Sequence, residues 1–469
     1  MSKILFLQND WLEHLGPLYL SAFLKEKGID SYILITRSPQ KLVKKLNQLK
    51  PDLLAISLAS AGHSFVLNLI QKAKPYLNIP IVIGGPHPTF FPEVLAHPAV
   101  DFIIKGEAEQ SLYLLAKALQ GKEEIKNVPG LGYKENGKLK FNPLAVLIED
   151  LDQLPFPNRA LYFDYGFYRR LKMRRVITSR GCPYKCRYCY NAQLQELYKG
   201  LGKYLRQRSA QNVIAELKSI APITKTINIV DDSFGLNKEF RDEFLPRYPK
   251  EVGLPFIVNL RPEQVDFEFA QKLARAGCYC AQVGIETGND ELREQLLGRK
   301  IKKDQIQRAV RYLKELGIKV LSYNMLGLPG ETIEQGFETI KLNQELNIDF
   351  PRFSLFQPYP GTEIAEVLVQ KGMLNREQLL KNLSASYFHK SPLLSPEIKA
   401  LSNLQKIYAL AIKLPKLEKF SKKLIHLKPN PGFDLIFLIS IALQYQKATN
   451  HTLPETIELG FRNLALYFE

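Results

Sequence analysis

Cys182, Cys186 and Cys189 stand in the run RGCPYKCRYCYN, directly after the stretch Arg175-Val176-Ile177-Thr178. A C-x3-C-x2-C spacing lets one short loop offer three thiolates to a single iron-sulfur cluster, and no fourth cysteine lies nearby to complete the usual four-ligand set. One iron would be left with an open coordination position. Zinc is the main competitor for such thiols, but structural zinc sites want four ligands in paired C-x2-C or Cys/His groupings, which this loop does not offer. Three ordinary buried thiols are the plainest alternative. Cys278 and Cys280, in AGCYCAQVGIE, are one residue apart at the start of an expected strand and should face the same side of it. A second cluster would need further ligands that the chain lacks, so this pair reads as structural.

The elements that must position the cysteine loop follow it. From Val176 to about Gln357, strand-like runs alternate with helical ones and end in polar residues: RVITSRGC, TINIVDDSF, FIVNLRPE, AQVGIETGNDE, KVLSYNMLGLPGET and FPRFSLFQPYPGTE. Six such units predict a partial (β/α)6 barrel of the TIM type, with its chemistry at the C-terminal ends of the strands. Those ends carry Asp231, Asp232, Asn259, Arg261, Glu286, Thr287 and the turn around Pro329. Ahead of the loop, residues 1–135 also alternate strand and helix: KILFLQ, PLYLSAFLKEKG, SYILIT, PQKLVKKLNQLK, LLAISL, HSFVLNLIQKAKPYL, IPIVIGG. This predicts a doubly wound, Rossmann-like α/β domain whose ligands would bind along residues 8–16, 57–64, 84–91 and 106–110. Residues 136–170 read as a linker, entered by a hairpin at Asn136-Gly137 and continued by a Pro-rich passage. The barrel core is expected over 171–365, and a helical C-terminal region without a catalytic motif over 366–469.

The cysteine loop and the ordered strand ends resemble the radical S-adenosylmethionine (SAM) enzymes. The resemblance implies a 4Fe-4S cluster held by Cys182, Cys186 and Cys189, whose open iron takes the amino and carboxylate groups of SAM, so that reduction yields a 5'-deoxyadenosyl radical. It assigns Tyr188 to the adenine and to shielding the cluster, and Asp231 and Asp232 to SAM's amino group, where a carboxylate suits an ammonium ion. Glu286 and Thr287 would hold the ribose hydroxyls or the methionine moiety, Asn259 and Arg261 end the strand between, and Pro329 lies in the turn closing over the adenosine. In the first domain, PLYLSAFLKEKG, SLASAGHSF, IVIGGPHPTFFPEVL and VDFIIKGEAEQSL resemble the cobalamin-binding domain that precedes many radical SAM cores. By that resemblance Ser57, Ser60, Gly62, Gly84 and Gly85 permit close approach of the corrin and its nucleotide tail. His87 would hydrogen-bond the tail, and Gly106 and Glu107 would join the contact. The family's Asp-x-His-x-x-Gly loop is not matched: in Asp10-Trp11-Leu12-Glu13-His14-Leu15-Gly16 the histidine comes four residues after the aspartate. A histidine-off cobalt covered by Trp11 or Leu12 is therefore expected, with His14 at the surface. A flavodoxin-like sheet binding another nucleotide, or nothing, is the alternative for this domain.

Together the resemblance covers residues 1 to about 365 and is to the cobalamin-dependent radical SAM family. It implies a methyltransferase acting on an unactivated carbon, with cobalamin carrying the methyl group and the radical removing hydrogen, because such a carbon has neither a usable pKa nor a lone pair. Members that cyclise or rearrange substrates keep the same cofactors and form the first alternative. A basic nucleic-acid-binding or redox-carrier protein forms the second. Sulfur-inserting transfer RNA modifiers are disfavoured, since their three further N-terminal cysteines are missing. The implied partners are a small-molecule, lipid or peptide substrate and an external electron donor such as flavodoxin or ferredoxin.

The balance of 64 Lys+Arg against 47 Asp+Glu gives +17, but the lysines of KLVKKLNQLK and KLPKLEKFSKKLIHLK alternate with apolar residues at helical spacing. Such patterning describes solvated helix faces, so no stable nucleic-acid partner is expected. The second stretch, followed by an apolar run at 433–443 too short to span a bilayer, suggests peripheral membrane contact. Five cysteines without a disulfide pattern, and an N-terminus without a signal-peptide pattern, point to the cytoplasm.

Overall fold

The run KILFLQ is buried at five of its six positions, the pattern of a strand covered on both faces of a parallel sheet. It forms β1 (Lys3–Gln8), the start of a seven-stranded sheet with β2 (Asp30–Ile35), β3 (Leu53–Ser57), β4 (Ile81–Gly84), β5 (Phe102–Ile104), β6 (Leu131–Glu135) and β7 (Lys138–Phe141) in the order β2-β1-β3-β4-β5-β6-β7. The first five strands are parallel and the last two antiparallel. Leu5, Leu7, Leu54, Ile56, Ile81 and Ile83 pack against Leu42, Leu46, Val66, Leu69 and Ile70 from the flanking helices. Strand order reverses between β1 and β3, and a sheet of this kind opens a crevice where that happens.

The computed structural model describes residues 3–375, 383, 386–393 and 395–468. They fall into two units: the described residues up to Arg170 with Gln193–Arg206 and Tyr359–Gly361, and Leu171–Ala192 with Gln207–Pro358 and the described residues from Thr362 onward. One expectation needs correcting in the first unit. The hairpin at Asn136-Gly137 is not connecting structure: β6 pairs with β5 and β7 with β6, extending the sheet. Its two turn residues both have positive φ, 49° and 75°, as a tight two-residue hairpin turn requires.

In the second unit six strands, Met173–Val176, Thr226–Ile229, Phe256–Leu260, Cys278–Glu286, Lys319–Leu326 and Phe350–Leu355, run parallel, each beside its predecessor in the chain. This is the expected partial barrel. Alternate residues Ile227, Ile229, Phe256, Val258, Val283, Ile285 and Val320 pack outward against the surrounding helices. The intervening inward positions at the N-terminal end, Met173, Ile257, Cys280, Leu321 and Phe350, cluster with Ala448 and close that end. The C-terminal region is helical as expected. Its helices Ile398–Lys413 and Pro431–Thr449 pack on Leu326, Phe337, Phe353 and Leu355, so they share a core with the barrel. Among the described residues no helix is long and apolar enough to cross a membrane.

Cys278 and Cys280 do not face the same side. Phe256 pairs with Cys278 and Ile257 with Cys280, so Tyr279 is the extra residue of a bulge, and a bulge inverts the alternation beyond it. Cys278 joins the outer core and Cys280 the inner one. Both are buried free thiols, as a structural role requires.

Candidate functional site

The cysteine loop begins where the first barrel strand stops, and it is tied down from both sides. Arg187 N–H donates to the Leu297 carbonyl at 3.1 Å and its guanidinium to the Gln295 carbonyl at 2.6 Å. On the other flank Arg187 pairs with Glu363 at 3.0 Å, and Ile364 N–H donates to the Arg187 carbonyl. Cys182 and Cys186 are buried, Cys189 is partly buried, and all are free. Arg261 donates to Cys186 Sγ at 3.1 Å and the Asn191 amide to Cys189 Sγ at 3.6 Å. Such donors stabilise an anionic sulfur. Burial pushes the Cys182 thiol up to about 11 and raises Cys189 as well, so these thiols ionise readily only when a cation joins them. Among the described residues no three His, Cys, Asp or Glu side chains converge tightly enough to hold a single metal ion. A cubane has a different requirement, because each thiolate binds a separate iron. Three free thiols on one short loop suit that requirement.

The strand ends around the loop divide into groups that are open and groups that are already committed. Asp232 is exposed; the protein crowded around it raises its carboxyl, and Asn191 hydrogen-bonds to it. Asp231 lies in the opposite state. It is 1% exposed and accepts from Thr178 N–H at 2.6 Å, from the Thr178 hydroxyl and from the Ser179 hydroxyl at 2.8 Å. Burial outweighs those bonds and pushes it up to about 6. Asp231 thus pins the first strand end to the second, and Asp232 is the open carboxylate of the two. Asn259 donates to the Asp231 carbonyl at 2.9 Å and stitches the next strand to the same point.

Among the described residues Glu286 is the one non-glycine residue at the C-terminal end of a barrel strand with a left-handed backbone, φ 69°. Such a conformation persists only where its surroundings enforce it. The strand carries a register shift there, and the Glu286 carboxylate pairs at 2.7 Å with Arg299, a guanidinium 2% exposed. Gly284 makes this possible: a Cβ there would lie 2.6 Å from Glu286 Oε1 and 3.0 Å from Arg299 Nη1. Arg261 pairs with Glu263 at 2.5 Å and stacks 3.7 Å over the Tyr184 ring. Thr287 does not share the site. It is fully buried, and its hydroxyl meets Thr339 and Asn289 N–H. Tyr188 packs against the cluster of Leu297, Leu328 and Phe356, and burial beside Glu286 raises its hydroxyl. Pro329 is half-buried between Leu328, which is buried, and Gly330, which is exposed with φ 77°. Glu331 N-terminally caps that turn through Leu328 N–H at 3.0 Å and is pushed up to about 8 by burial.

In the first unit a recess of about 80 Å³ sits at the strand-order reversal, lined by Gln8, Asn9, Ser57, Leu58, Ala59 and Ala61 among others. Ser57 is exposed there, and a Cβ on Gly62 would meet nothing nearer than Asn9 Nδ2 at 3.9 Å. Ser57, Ala59, Ala61 and Gly62 fit a ligand approached through small side chains and backbone, and the polar Asn9, Asp10 and His14 line the same recess. Others named from the sequence are committed to the fold. His87 is 2% exposed, hydrogen-bonds Ser60 Oγ at 3.2 Å and stacks on His63 and Phe91. Burial, with His63 alongside, holds it neutral, down to about 3. Gly85 (φ 96°) is required by Leu58, whose backbone a Cβ would approach to 3.1 Å, and Gly84 sits 3.8 Å from the Ile104 carbonyl by the same measure. Gly106 (φ 77°) lies against the Tyr198 hydroxyl, which accepts from Glu107 N–H at 2.7 Å. The Glu107 carboxylate pairs with Arg206. Gly106 and Glu107 therefore hold the 193–206 segment. Trp11 stacks on Tyr168 and meets Tyr165 and Phe167 edge-on, while Leu12 is exposed. His14 binds Asp10 at 2.8 Å through Nε2; Leu12 is thus the freer of the two expected covers.

Arg299, Gly284, Glu263 and Asn191 were missed in the sequence. Only Gly284 had a signal, since a glycine two residues before a strand-end glutamate marks a crowded backbone.

Residues 176–342 match the Radical SAM superfamily, and residues 10–116 match the B12 binding domain. An uncharacterized methyltransferase of Pyrococcus horikoshii is 31% identical over 77% of this chain and 79% of its own length. A cytidylyl-2-hydroxyethylphosphonate methyltransferase of Streptomyces wedmorensis is 23% identical over 76% of this chain and 74% of its own. An anaerobic magnesium-protoporphyrin IX monomethyl ester cyclase of Rubrivivax gelatinosus is 26% identical over 75% and 66%. Among solved structures, the radical SAM methyltransferase TsrM of Kitasatospora setae, with cobalamin and a [4Fe-4S] cluster bound, superposes with a TM-score of 0.65 at 21% identity, covering 80% of this chain and 76% of that one.

Proposed function

The chain belongs to the cobalamin-dependent radical SAM family, and from that premise we propose that it is a methyltransferase that places a methyl group on an unactivated carbon of its substrate. It is an enzyme whose cofactors are a 4Fe-4S cluster, SAM and cobalamin. When bound, the cluster with SAM supplies a carbon-centred radical and cobalamin supplies a methyl group, chemistry beyond any side chain. The observation that carries the site is Arg261 donating to Cys186 Sγ while the open carboxylate of Asp232 and the Arg299-held carboxylate of Glu286 end other strands of the same sheet. Cys182, Cys186 and Cys189 would hold the cluster, with the Arg261 and Asn191 donors steadying sulfur charge. Asp232, open to solvent, would accept an ammonium group. Glu286, fixed by Arg299, would accept hydrogen bonds from ribose hydroxyls, and the turn at Leu328–Pro329–Gly330 would cover the adenosine beside Tyr188. In the first unit Ser57, Gly62 and Leu12 would face the corrin by shape, while neutral His87 and Ser60 brace the loops behind them.

The test is anaerobic reconstitution with iron, sulfide and hydroxocobalamin, then reductant and SAM with candidate substrates. Methyl transfer predicts S-adenosylhomocysteine and 5'-deoxyadenosine together and a product heavier by one methylene. A product of unchanged carbon count would favour cyclisation or rearrangement instead, the second reading supported by the cyclase relative. The electron would come from a flavodoxin- or ferredoxin-like donor, and a cytoplasmic address fits oxygen-sensitive chemistry. Peripheral membrane contact is supported by the exposed Leu435, Ile439 and Leu443 on one helix face, near a lysine-rich helix (Glu418–Leu424). Sedimentation with anionic vesicles, absent with neutral ones, would establish it.

A further inference from the structure

One layer above its closed end, the inner face of the barrel sheet changes character. The end layer is apolar: Met173, Ile257, Cys280, Leu321 and Phe350. Two residues further along four of those strands stand Arg175, Gln282, Tyr323 and Arg352, and side chains two apart on a strand share a face. Barrel interiors are ordinarily filled at this level by branched apolar residues. Here the Tyr323 hydroxyl donates to Gln282 Oε1 and hydrogen-bonds Arg352. The Arg352 guanidinium lies 6.0 Å over the Tyr323 ring, 5.7 Å over Phe388 and 6.0 Å over Tyr445. Arg175 adds a second positive charge toward Tyr445.

Arg352 differs from the other arginines of this site. Arg261 has Glu263 and Arg299 has Glu286, whereas among the described residues no carboxylate forms an ion pair with Arg352. A guanidinium cannot shed its proton, and a charge deep in protein without a counterion is costly. The aromatic frame offsets part of that cost, and the side chain, half-buried, belongs to the inward-facing register of the sheet. A planar guanidinium among aromatic rings and without a carboxylate ion pair is a group that can take an oxyanion by two parallel hydrogen bonds.

We propose that the substrate carries an oxyanion, a carboxylate, phosphate or phosphonate, and that Arg352, assisted by Arg175, binds it inside the barrel. This rests on the reading of the second unit as the catalytic core, and it names the substrate class of that site. The test is calorimetric titration of the reconstituted full chain with phenylphosphonate, an aryl oxyanion, against benzyl alcohol as its neutral counterpart. Saturable one-to-one binding of phenylphosphonate alone is expected, weakened about tenfold or more in Arg352→Gln and less in Arg352→Lys. Equal affinity in wild type and Arg352→Gln, or no binding to wild type at millimolar concentration, would overturn the proposal. If Arg352→Gln does not fold, phenylglyoxal labelling of the wild type carries the same test. The Arg352 peptide should be modified in chloride and protected by phenylphosphonate, and unprotected labelling would overturn it. Reductive SAM cleavage by the wild type, followed in parallel, separates the two readings. Cleavage without oxyanion binding sinks only the substrate class, and oxyanion binding without cleavage sinks the radical enzyme.

Discussion

Both units carry a candidate ligand site at the C-terminal ends of parallel strands, yet they equip those ends differently. In the first unit the polar side chains near the strand ends are paired with one another: His87 on Ser60, Glu107 on Arg206, His14 on Asp10. Beside the Asp10–His14 pair, which lines the recess, the exposed or half-buried residues include small or apolar ones, Ser57, Ala59, Gly62 and Leu12. In the second unit the ends bristle with charge: Asp232, Arg261, Glu263, Glu286 and Arg299. A bulky macrocycle is gripped by shape, which small residues and backbone provide. A charged cluster and a zwitterionic cosubstrate are gripped by charge, which needs fixed ions and their counterions.

The comparison breaks most completely if the two sites are not independent. Cys186→Ala should abolish cluster assembly and all 5'-deoxyadenosine formation while corrin uptake stays within about twofold, read by absorption and product analysis; joint loss of corrin and cluster would merge the two sites. The next effect is structural. Arg299→Met strands the Glu286 carboxylate in a buried site and should cost about 3–5 kcal/mol of second-unit stability, measured by urea unfolding; a loss under 1 kcal/mol would show that Glu286 is not held by that pair. The two neighbouring aspartates sharpen the contrast further. Asp231→Asn should lower stability by about 1–3 kcal/mol because its donors lose a charged acceptor, whereas Asp232→Asn should leave the melting point unchanged and weaken SAM binding about tenfold. The reverse pattern would exchange their roles.

The smallest effect concerns pH in the first unit. His87 is held down to about 3 in the fold, against about 6.5 in an unfolded chain. Above pH 6.5 both states are neutral and no stability is lost. As pH falls from 6.5 toward 3 the unfolded chain takes up a proton that the folded one refuses, so stability falls by up to about 1.4 kcal/mol per pH unit. His87→Phe, which keeps the stack with Phe91, should flatten that slope in acid titrations followed by circular dichroism; an unchanged slope would assign the acid sensitivity elsewhere.

Much of the architecture was legible because local pattern and fold agree. The apolar runs of β1, β3 and β4 could only be central parallel strands, and the C-x3-C-x2-C spacing could be read without coordinates. Site residues were less legible. DD at 231–232 gives two carboxylates of equal standing in sequence, and only the Thr178 and Ser179 donors reveal that one is spent on the fold. The Cys278/Cys280 pair misled because alternation assumes an unbroken strand, and the bulge at Tyr279 has no signature in residue type.

By itself the sequence determined two parallel α/β units, a three-thiol loop at the start of the second, and the absence of the expected Asp-x-His-x-x-Gly spacing, since each is a matter of periodicity or spacing along the chain. The tertiary structure alone decided which polar side chains are free. A hydrogen bond or ion pair such as Glu107 to Arg206 or Glu286 to Arg299 joins residues 99 and 13 apart, and whether a charge is spent or available depends on such partners rather than on its neighbours in sequence.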